Sequence, residues 1–359
     1  MTAAQPPVGI VSVGTYSPPG YMTAAEIAAA SGLPEWVIRD KMGIVGKHVG
    51  GPDDQPNEMA IKAALDCLSR CDIPAGEIDV VLCTTEEWRE YLLWTSGIHL
   101  AYEIGAVNAW AVDLHMRCAT TVGAMKMAKD MMLADPEINT VLIAGGYRVS
   151  DFIDFRNPRT SFLWNIGAGA GAMLLRKGWP ANHVLGCHLI VDGSMSKHVI
   201  VPASGTAQFP TPQAIAGNTL APELFYFDLV EPEAMKNRLN AVSMDNWLRC
   251  VDEALRKSGP KPDGTPYTRR DIGFLNMVLI KPSGHREMLE RLGLAEEQSV
   301  YLGAIGHTGE QDAMFGIREG LATGRLKDGD LMAIVAAGIG YVWAAGVVRW
   351  GRGAVNGDR

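Results

Sequence analysis

The sequence predicts a layered α/β fold made of two similar halves, and three observations support this class. Apolar runs of strand length alternate with helical stretches along the chain, which is typical of helices layered on sheets. The order of these elements before Trp179 resembles their order after it. No long linker separates the two parts, so we expect one body with an N-terminal half over residues 1–179 and a C-terminal half over 180–359.

The composition indicates a large, well-packed protein. The chain has 359 residues, of which 47% are hydrophobic and 20% charged, and its 40 glycines fall in short clusters without a collagen period. These values exclude a disordered chain, which needs low hydrophobicity and high charge. The net charge of −8 argues against a nucleic-acid partner. Six cysteines are too few for a disulfide framework in a chain of this length, so we expect a cytoplasmic protein.

The N-terminal half opens with a buried strand and then alternates helices with strands. Thr23 and Glu26 form a capping-box pattern at the start of the first helix. The helix expected at 120–133 is apolar nearly all round, which indicates a helix inside the fold. The remaining elements expected here are a helix at 57–70 and strands at 8–18, 78–84, 109–114, 141–144 and 167–175.

The C-terminal half repeats this alternation and ends in an uncharged stretch at residues 331–348. A stretch of that length could cross a membrane as a helix. Glycines at 338, 340 and 346 interrupt it, so we predict two buried strands joined by a tight turn, and no membrane association. The elements expected before this pair are helices at 244–257, 286–292 and 313–323 and strands at 274–280 and 299–304.

Three residues are candidates for chemistry because of their position between elements. Cys118, in DLHMRCATT, opens the buried helix, whose dipole favours a thiolate; the alternative is an ordinary core cysteine. His307 lies in the glycine-rich turn GAIGHTGEQD, where the backbone could approach a substrate; the alternative is a loop histidine. His285, in LIKPSGHREML, follows a strand, and its alternative is a solvent contact at a helix end.

Two other patterns predict no site. GAGAGA at 167–172 lacks the sixth-position glycine and the following helix of a nucleotide-binding loop, so close strand packing against a buried helix explains it better. Cys67 and Cys71 form a CxxxC pair without a second ligand pair. We therefore expect neither a metal site nor a resident cofactor.

Five stretches, in conserved order along nearly the whole chain, resemble the thiolase superfamily, and within it the β-ketoacyl-(acyl carrier protein) synthase III branch. They are PEWVIRDKMGI at 34–44, DLHMRCATT at 113–121, WNIGAGAGAMLL at 164–175, GAIGHTGEQDAMFGIREGL at 303–321 and LKDGDLMAIVAAGIGYVWAAGVVRW at 326–350.

The resemblance implies a thiolase-like α-β-α-β-α fold with duplicated halves and an acyltransferase of lipid metabolism. Cys118 would take an acyl group from acyl-CoA, and a carbon nucleophile would then attack this thioester to give a 3-oxoacyl product. Trp36, Lys41 and Arg159 fall on or near positions that contact coenzyme A in the family. The resemblance also implies a homodimer, the segment 84–97 as a lining of the acyl tunnel, and acyl-CoA or acyl carrier protein as partners.

The chain departs from the family pattern at its catalytic positions. The family histidine maps onto Ile280 or Lys281, with His285 about a turn later, and the family asparagine maps onto His307. Cys118 and His307 would thus form a mixed dyad in which His307 ionises the thiol. Decarboxylative condensation, non-decarboxylative condensation or its reverse, and transfer to another acceptor all stay open. A degenerate structural subunit of a multi-chain complex is the alternative class, although the retained Cys118 argues against it.

Overall fold

The computed structural model of the chain describes residues 6–203, 205–217 and 221–352. The strands of these ranges, in chain order, are β1 (Val8–Tyr16), β2 (Gly20–Thr23), β3 (Gly46–Val49), β4 (Val80–Cys83), β5 (Trp110–Asp113), β6 (Thr140–Tyr147), β7 (Gly169–Lys177), β8 (Ala181–Val191), β9 (Val199–Ile200), β10 (Asp228–Leu229), β11 (Ile272–Met277), β12 (Leu331–Gly338) and β13 (Val342–Arg352). The α-helices are α1 (Ala24–Ser31), α2 (Pro56–Leu68), α3 (Ser96–Glu103), α4 (Thr120–Ala134), α5 (Pro212–Ala216), α6 (Pro232–Lys257), α7 (Pro282–Leu292) and α8 (Asp312–Ala322).

The principal sheet has nine strands in the order β11-β12-β13-β8-β1-β7-β6-β4-β5. Strands from residues 1–179 form one side of it, and strands from residues 180–359 form the other. The two sides join where Gly9 of β1 pairs with His183 of β8. Pairing is parallel for β4 with β5 and β6 and for β11 with β12, and antiparallel for the others. Parallel strands joined through helices are the mark of an α/β fold.

Two helices contact strands from both halves of the chain. The helix α4 contacts β6 and β7 from one side and β8, β12 and β13 from the other. The helix α8 contacts β1, β7 and β11. The helix α2 covers β1, β6 and β7, and the helix α6 covers β8, β12 and β13. This layering confirms the predicted α/β class, and the buried apolar helix at 120–133 is α4.

Local signals in the sequence also have their structural counterparts. Thr23 caps α1 through a complete capping box with Glu26. The uncharged stretch at 331–348 forms the hairpin of β12 and β13, as expected. Within the described ranges, no helix combines the length and apolarity that a membrane crossing needs.

One expected strand is absent. Residues 299–304 form only an isolated bridge between Ser299 and Leu275. The reason is that the backbone of this segment is bonded elsewhere, since Gly303 O accepts from the amides of Val45 and Gly46 at 2.8 and 3.3 Å. The chain therefore reaches His307 along a loop packed on the start of β3.

Candidate active site

Cys118 lies on a strained turn between β5 and α4. A 3₁₀ turn, Arg117–Ala119, leads directly into the helix, and Arg117 has the left-handed φ of 53°. Thr120 Oγ1 closes this turn by accepting from Met116 N at 2.8 Å and donating to Arg117 O at 2.6 Å. A non-glycine residue in this conformation is held there by its surroundings, and such residues cluster at functional sites.

The backbone of His307 is bonded to the segment just before β7, through an isolated bridge with Ile166. Its amide donates to Asn165 O at 2.7 Å, and its carbonyl accepts from Gly167 N at 2.8 Å. Gly306, with φ 89°, turns the chain just before it. The imidazole is thereby presented from a loop whose main chain is hydrogen-bonded on both sides of His307.

The glycines of GAGAGA give the segment after His307 room to pack on β7. A Cβ atom at Gly169 would lie 3.0 Å from Thr308 Cγ2, and one at Gly171 would lie 3.0 Å from Gln311 Oε1. The predicted role in close packing is therefore confirmed, and the element packed there carries the site.

Cys118, His307 and Asp312 form a buried relay. The Nε2 atom of His307 lies 3.2 Å from Cys118 Sγ, and its Nδ1 atom lies 2.6 Å from Asp312 Oδ2. Asp312 is held by donors from Thr308 N at 2.7 Å, Thr308 Oγ1 at 2.8 Å and Leu279 N at 2.8 Å. Burial lowers the pKa of His307, but Asp312 and Cys118 outweigh it and raise that pKa well above its usual value.

This geometry can generate a nucleophilic thiolate. Asp312 fixes the tautomer of the imidazole and stabilises its charged form, so that Nε2 faces the sulfur as donor or base. A thiol that hands its proton to an adjacent imidazole is the activated nucleophile of covalent acyl transfer. The structure thus brings together two of the three candidate residues and adds Asp312 to them.

The other buried thiols lack this arrangement. Burial raises the pKa of Cys67 to about 12, that of Cys187 to about 11 and that of Cys250 to about 12. Cys67 is hydrogen-bonded to the hydroxyl and carbonyl groups of Ser12, and Cys250 to the carbonyl group of Trp343. Cys118 therefore stands apart from the core cysteines by its imidazole partner.

Two buried carboxyl groups lie beside the relay. Glu86, just after β4, accepts from Arg117 Nη1 at 3.0 Å, and Glu310 accepts from Gln311 Nε2 at 2.7 Å. Burial, followed by the Glu86 charge, raises the pKa of Glu310 well above its usual range. Burial also raises the pKa of Tyr147, and the neighbouring Cys118, Glu86 and Glu310 add to it. The thiol is thus surrounded by groups that resist further negative charge.

A small cavity of about 10 Å³ adjoins the thiol. It has room for roughly one water molecule. Its lining includes Cys118, Glu310 and Asp312 on the polar side and Val122, Val278, Thr121, Gly309, Ala313, Ile334, Val335 and Ala336 on the rest. The cavity beside the thiol is therefore lined both by acid groups and by apolar residues of β12.

The structure does not bring His285 into this site. Pro282 starts α7, and the helix turns His285 toward Ser299 Oγ, 3.0 Å from its Nε2 atom. Burial lowers the pKa of His285 to about 4. It lines a separate cavity of about 230 Å³ with Arg286, Tyr301 and others. His285 therefore does not replace the missing family histidine by position.

The three residues expected to contact coenzyme A lie at the surface. Trp36 precedes a π-helical turn, Val37–Lys41, and is 56% exposed. Lys41 at the end of this turn is also exposed. Arg159 donates to Leu229 O at 2.5 Å and lies 3.7 Å from Asp228, so part of its guanidinium is engaged. These placements leave the predicted contacts as predictions.

Sequence reasoning missed Asp312, Glu86, Glu310 and Lys47. Asp312 could have been found from its position in GHTGEQD, where the turn into α8 returns the chain toward His307. Lys47 had no signal, since a lysine in a short strand is usually exposed. Its Nζ atom instead donates to Trp164 O at 3.0 Å and Ile166 O at 2.7 Å, and so stabilises the edge that holds His307.

Comparison with known proteins is consistent with this geometry. Residues 112–193 match the family profile of 3-oxoacyl-[acyl-carrier-protein (ACP)] synthase III, and residues 263–350 match its C-terminal profile. The β-ketoacyl-[acyl-carrier-protein] synthase III of Symbiobacterium thermophilum is 26% identical over 350 residues, covering 96% of this chain and 99% of the relative.

Solved structures show the same fold. The synthase III of Thermus thermophilus superposes with a TM-score of 0.78 at 24% identity, covering 96% of this chain and 100% of the other. That of Pseudomonas aeruginosa gives a TM-score of 0.79 at 21% identity, covering 96% and 98%.

The fold and the matching profiles define a thiolase-like condensing enzyme. Within this class, the chain is similar to β-ketoacyl-[acyl-carrier-protein] synthase III, whose two profiles match residues 112–193 and 263–350. The predicted resemblance to the synthase III branch of condensing enzymes is thereby confirmed.

Proposed function

We propose that this condensing enzyme works through an acyl thioester on Cys118, taken from acyl-CoA. The observation that carries the proposal is the relay in which His307 lies 3.2 Å from Cys118 Sγ and 2.6 Å from Asp312. The thiolate attacks the carbonyl carbon of the incoming thioester, and the leaving thiolate takes its proton from the His307 imidazolium. Neutral His307 then faces the acyl group on Cys118.

In the second half-reaction, a carbon nucleophile attacks this acyl group to give a 3-oxoacyl product. A retained Cys–His–Asp relay supports a working enzyme over a degenerate subunit, because a structural subunit needs no aligned imidazole. The decarboxylative and non-decarboxylative routes are distinguished by the acceptor, since a malonyl thioester loses CO₂ and a simple acyl thioester loses an α-proton. Acyl carrier protein in place of coenzyme A is the other form in which either thioester could arrive.

The experiment is an acyl-enzyme mass survey across a series of acyl-CoA thioesters. Wild type should gain one acyl group, and Cys118→Ala should gain none. Cys187→Ala is the matched control, because Cys187 is also a buried free thiol but has no imidazole partner among the described residues. An adduct that persists in Cys118→Ala would overturn the assignment, and no adduct with any thioester would favour the subunit alternative.

We also propose that the nucleotide part of coenzyme A contacts Trp36, Lys41 and Arg159. Support comes from their family positions and from the exposed indole of Trp36, which offers a stacking face. Trp36→Ala should raise KM for acyl-CoA and leave KM for the acyl-pantetheine thioester, which lacks the nucleotide, unchanged. An equal effect on both thioesters would contradict a nucleotide contact.

A homodimer through the β5 edge of the sheet is the proposed assembly. β5 ends the nine-stranded sheet, and exposed strand edges invite pairing with a second chain. Large apolar side chains are exposed along and before it, namely Tyr91, Leu92, Leu93, Ile98, Tyr102, Val107 and Trp110. Light scattering should show a dimer that Leu93→Asp with Trp110→Glu separates, whereas Leu321→Asp, an exposed residue of α8, should not. A monomeric wild type would overturn the proposal.

A further inference from the structure

Glu310 holds an unusual position between the members of the relay. It lies on the 3₁₀ turn Gly309–Gln311, between His307 and Asp312 in sequence, and lines the same cavity as Cys118. The residue is 1% exposed. Its Oε1 atom accepts from Gln311 Nε2, while Oε2 has no hydrogen-bond partner among the described residues.

The surroundings of Glu310 favour its neutral form. Within the part of the chain that the structure describes, no cation pairs with it, and the nearby Arg117 donates to Glu86 and Glu87 instead. A carboxylate buried without a cation is so costly that the group takes up a proton. Burial also raises the pKa of Glu86, but the Arg117 guanidinium opposes this effect, and Glu310 has no such partner. Of the two carboxyls, Glu86 therefore carries the negative charge, and its closeness adds to the effect of burial on the pKa of Glu310. Glu310 is thus an O–H donor beside the thiol.

We propose that Glu310, as a neutral carboxylic acid lining the Cys118 cavity, donates a hydrogen bond to the carbonyl oxygen of the acceptor thioester while that oxygen becomes an enolate. This inference rests on the proposed condensation and names a donor for its carbon nucleophile. A fixed donor in a water-poor cavity stabilises charge that develops only in the transition state. Glu310 is then a catalytic residue, because it touches the acceptor.

The condensation step balances in protons and electrons with Cys118, His307 and Glu310 alone. With a simple acyl thioester as acceptor, the α C–H bond breaks, its proton goes to Nε2 of neutral His307, and its electron pair moves to the carbonyl oxygen facing Glu310. The enolate carbon attacks the carbonyl carbon of the acyl group on Cys118. A C–C bond forms, the C–S bond breaks, and sulfur leaves as a thiolate beside the His307 imidazolium, which restores the starting pair.

With a malonyl thioester, the bond to its carboxylate breaks instead, and CO₂ leaves. The electron pair moves to the same carbonyl oxygen, so Glu310 has the same task. Sulfur again leaves as a thiolate, and one proton is taken up from water to recharge His307. Glu310 keeps its own proton in both routes.

Two substitutions separate a hydrogen-bond donor from an acid or base. Glu310→Gln keeps the size and a neutral donor, whereas Glu310→Leu removes the donor. With acetyl-CoA and malonyl-CoA as acceptors, we expect Glu310→Leu to lose about 10²- to 10³-fold in condensation and Glu310→Gln to stay within about tenfold of wild type. Both variants should still acquire the acyl group on Cys118. Glu319→Gln, later on α8 and outside the cavity lining, is the matched control.

An infrared measurement tests the protonation state without turnover. Wild type at neutral pH should show the carbonyl band of a protonated carboxylic acid, and Glu310→Gln should lose it. This measurement does not depend on the folding of Glu310→Leu, since it compares wild type with Glu310→Gln, which is nearly isosteric.

Three results would overturn the inference. They are condensation at the wild-type rate in folded Glu310→Leu, inactivity of Glu310→Gln equal to that of Glu310→Leu, and an acid band that is missing from wild type or persists in Glu310→Gln. Failure of the proposed function is a different observation, namely the lack of any acyl adduct on Cys118 in wild type.

Discussion

The Nδ1 atom of His307 lies 2.6 Å from Oδ2 of Asp312, and both side chains are buried. Asp312 begins α8 and is itself held by the backbone of Leu279 and Thr308. The imidazole that faces Cys118 is therefore oriented, at its other ring nitrogen, by a carboxylate that is itself hydrogen-bonded on both oxygens. Two predictions follow from this pair.

Asp312→Asn should slow acylation of Cys118 by about 10²- to 10⁴-fold, because an amide can present a donor to Nδ1 and favour the wrong tautomer. Rapid-quench mass spectrometry of the acyl-enzyme measures this rate. Asp245→Asn, an exposed change on α6, is the control and should acylate normally. A normal rate in Asp312→Asn would mean that the carboxylate only supports the turn.

His307→Ala should make alkylation of Cys118 by iodoacetamide depend more steeply on pH. The raised pKa of His307 keeps the imidazolium charged through neutral pH, so wild-type Cys118 retains its partner there. Without that partner, alkylation near pH 6 to 7 should fall and recover only in alkaline solution. His285→Ala is the matched control, since His285 is buried in another cavity. Superimposable pH profiles of wild type and His307→Ala would contradict the relay.

The sequence was sufficient to predict the α/β fold and to single out the two candidate residues that the structure brings together, Cys118 and His307. The reasons are local. Periodicity marks β12, β13 and the apolar α4, and the resemblance aligns Cys118 and His307 with a known order of motifs. These features depend on residues close together in the chain. Burial and contacts between segments far apart in the chain could not be predicted from the sequence. These contacts determine which other residues surround Cys118 and His307.

Glu86 and Glu310 show why the remainder could not be predicted. Glutamates in TTEEW and GHTGEQD are ordinary polar residues by pattern, and most glutamates are exposed. Only the packing of α4 and α8 between the two sides of the sheet buries both carboxyls beside one thiol. His285 is the opposite case, a residue that the sequence places near the site and the structure does not. It lies within about a turn of the family position in sequence, but the helix α7 directs its side chain to Ser299.

Lys47 should make stability rise with pH. Burial lowers its pKa to about 7 from the usual 10.5. Between these values the unfolded chain holds the proton and the folded chain does not, so the free energy of unfolding increases from pH 7 to 10.5. Each unit of difference between the folded and unfolded pKa is worth about 1.4 kcal/mol, so the free energy of unfolding should gain a few kcal/mol over this range.

The measurement is urea unfolding of wild type and Lys47→Met across pH 6 to 10. The stability of wild type relative to Lys47→Met should increase with pH, since methionine has no proton to lose. Lys236→Met, an exposed change on α6, should keep the wild-type slope. Parallel curves for wild type and Lys47→Met would show that the ionisation of Lys47 is not the source of the pH dependence of stability.

Gly309 and Gly324 form a matched pair for separating backbone strain from a steric contact at the site. Their φ values are 64° and 67°, so alanine costs about 1–2 kcal/mol at either position from backbone conformation alone. A Cβ atom at Gly309 would lie 2.4 Å from Cε2 of the Tyr147 ring, whereas one at Gly324 would meet nothing within 4 Å. Gly309→Ala must therefore also displace the ring that packs beside Cys118 and His307.

We expect Gly324→Ala to lose only the conformational cost and to acylate at the wild-type rate. Gly309→Ala should lose more stability in urea unfolding. It should also acylate more slowly, because the displaced Tyr147 ring lies next to the His307 imidazole, with 6.1 Å between the ring centroids. Equal losses of stability in the two variants, with acylation intact in both, would show that the turn adapts without disturbing the relay. A slow Gly309→Ala whose rate recovers in Gly309→Ala combined with Tyr147→Leu would assign the defect to the ring, since leucine leaves room for the new methyl group.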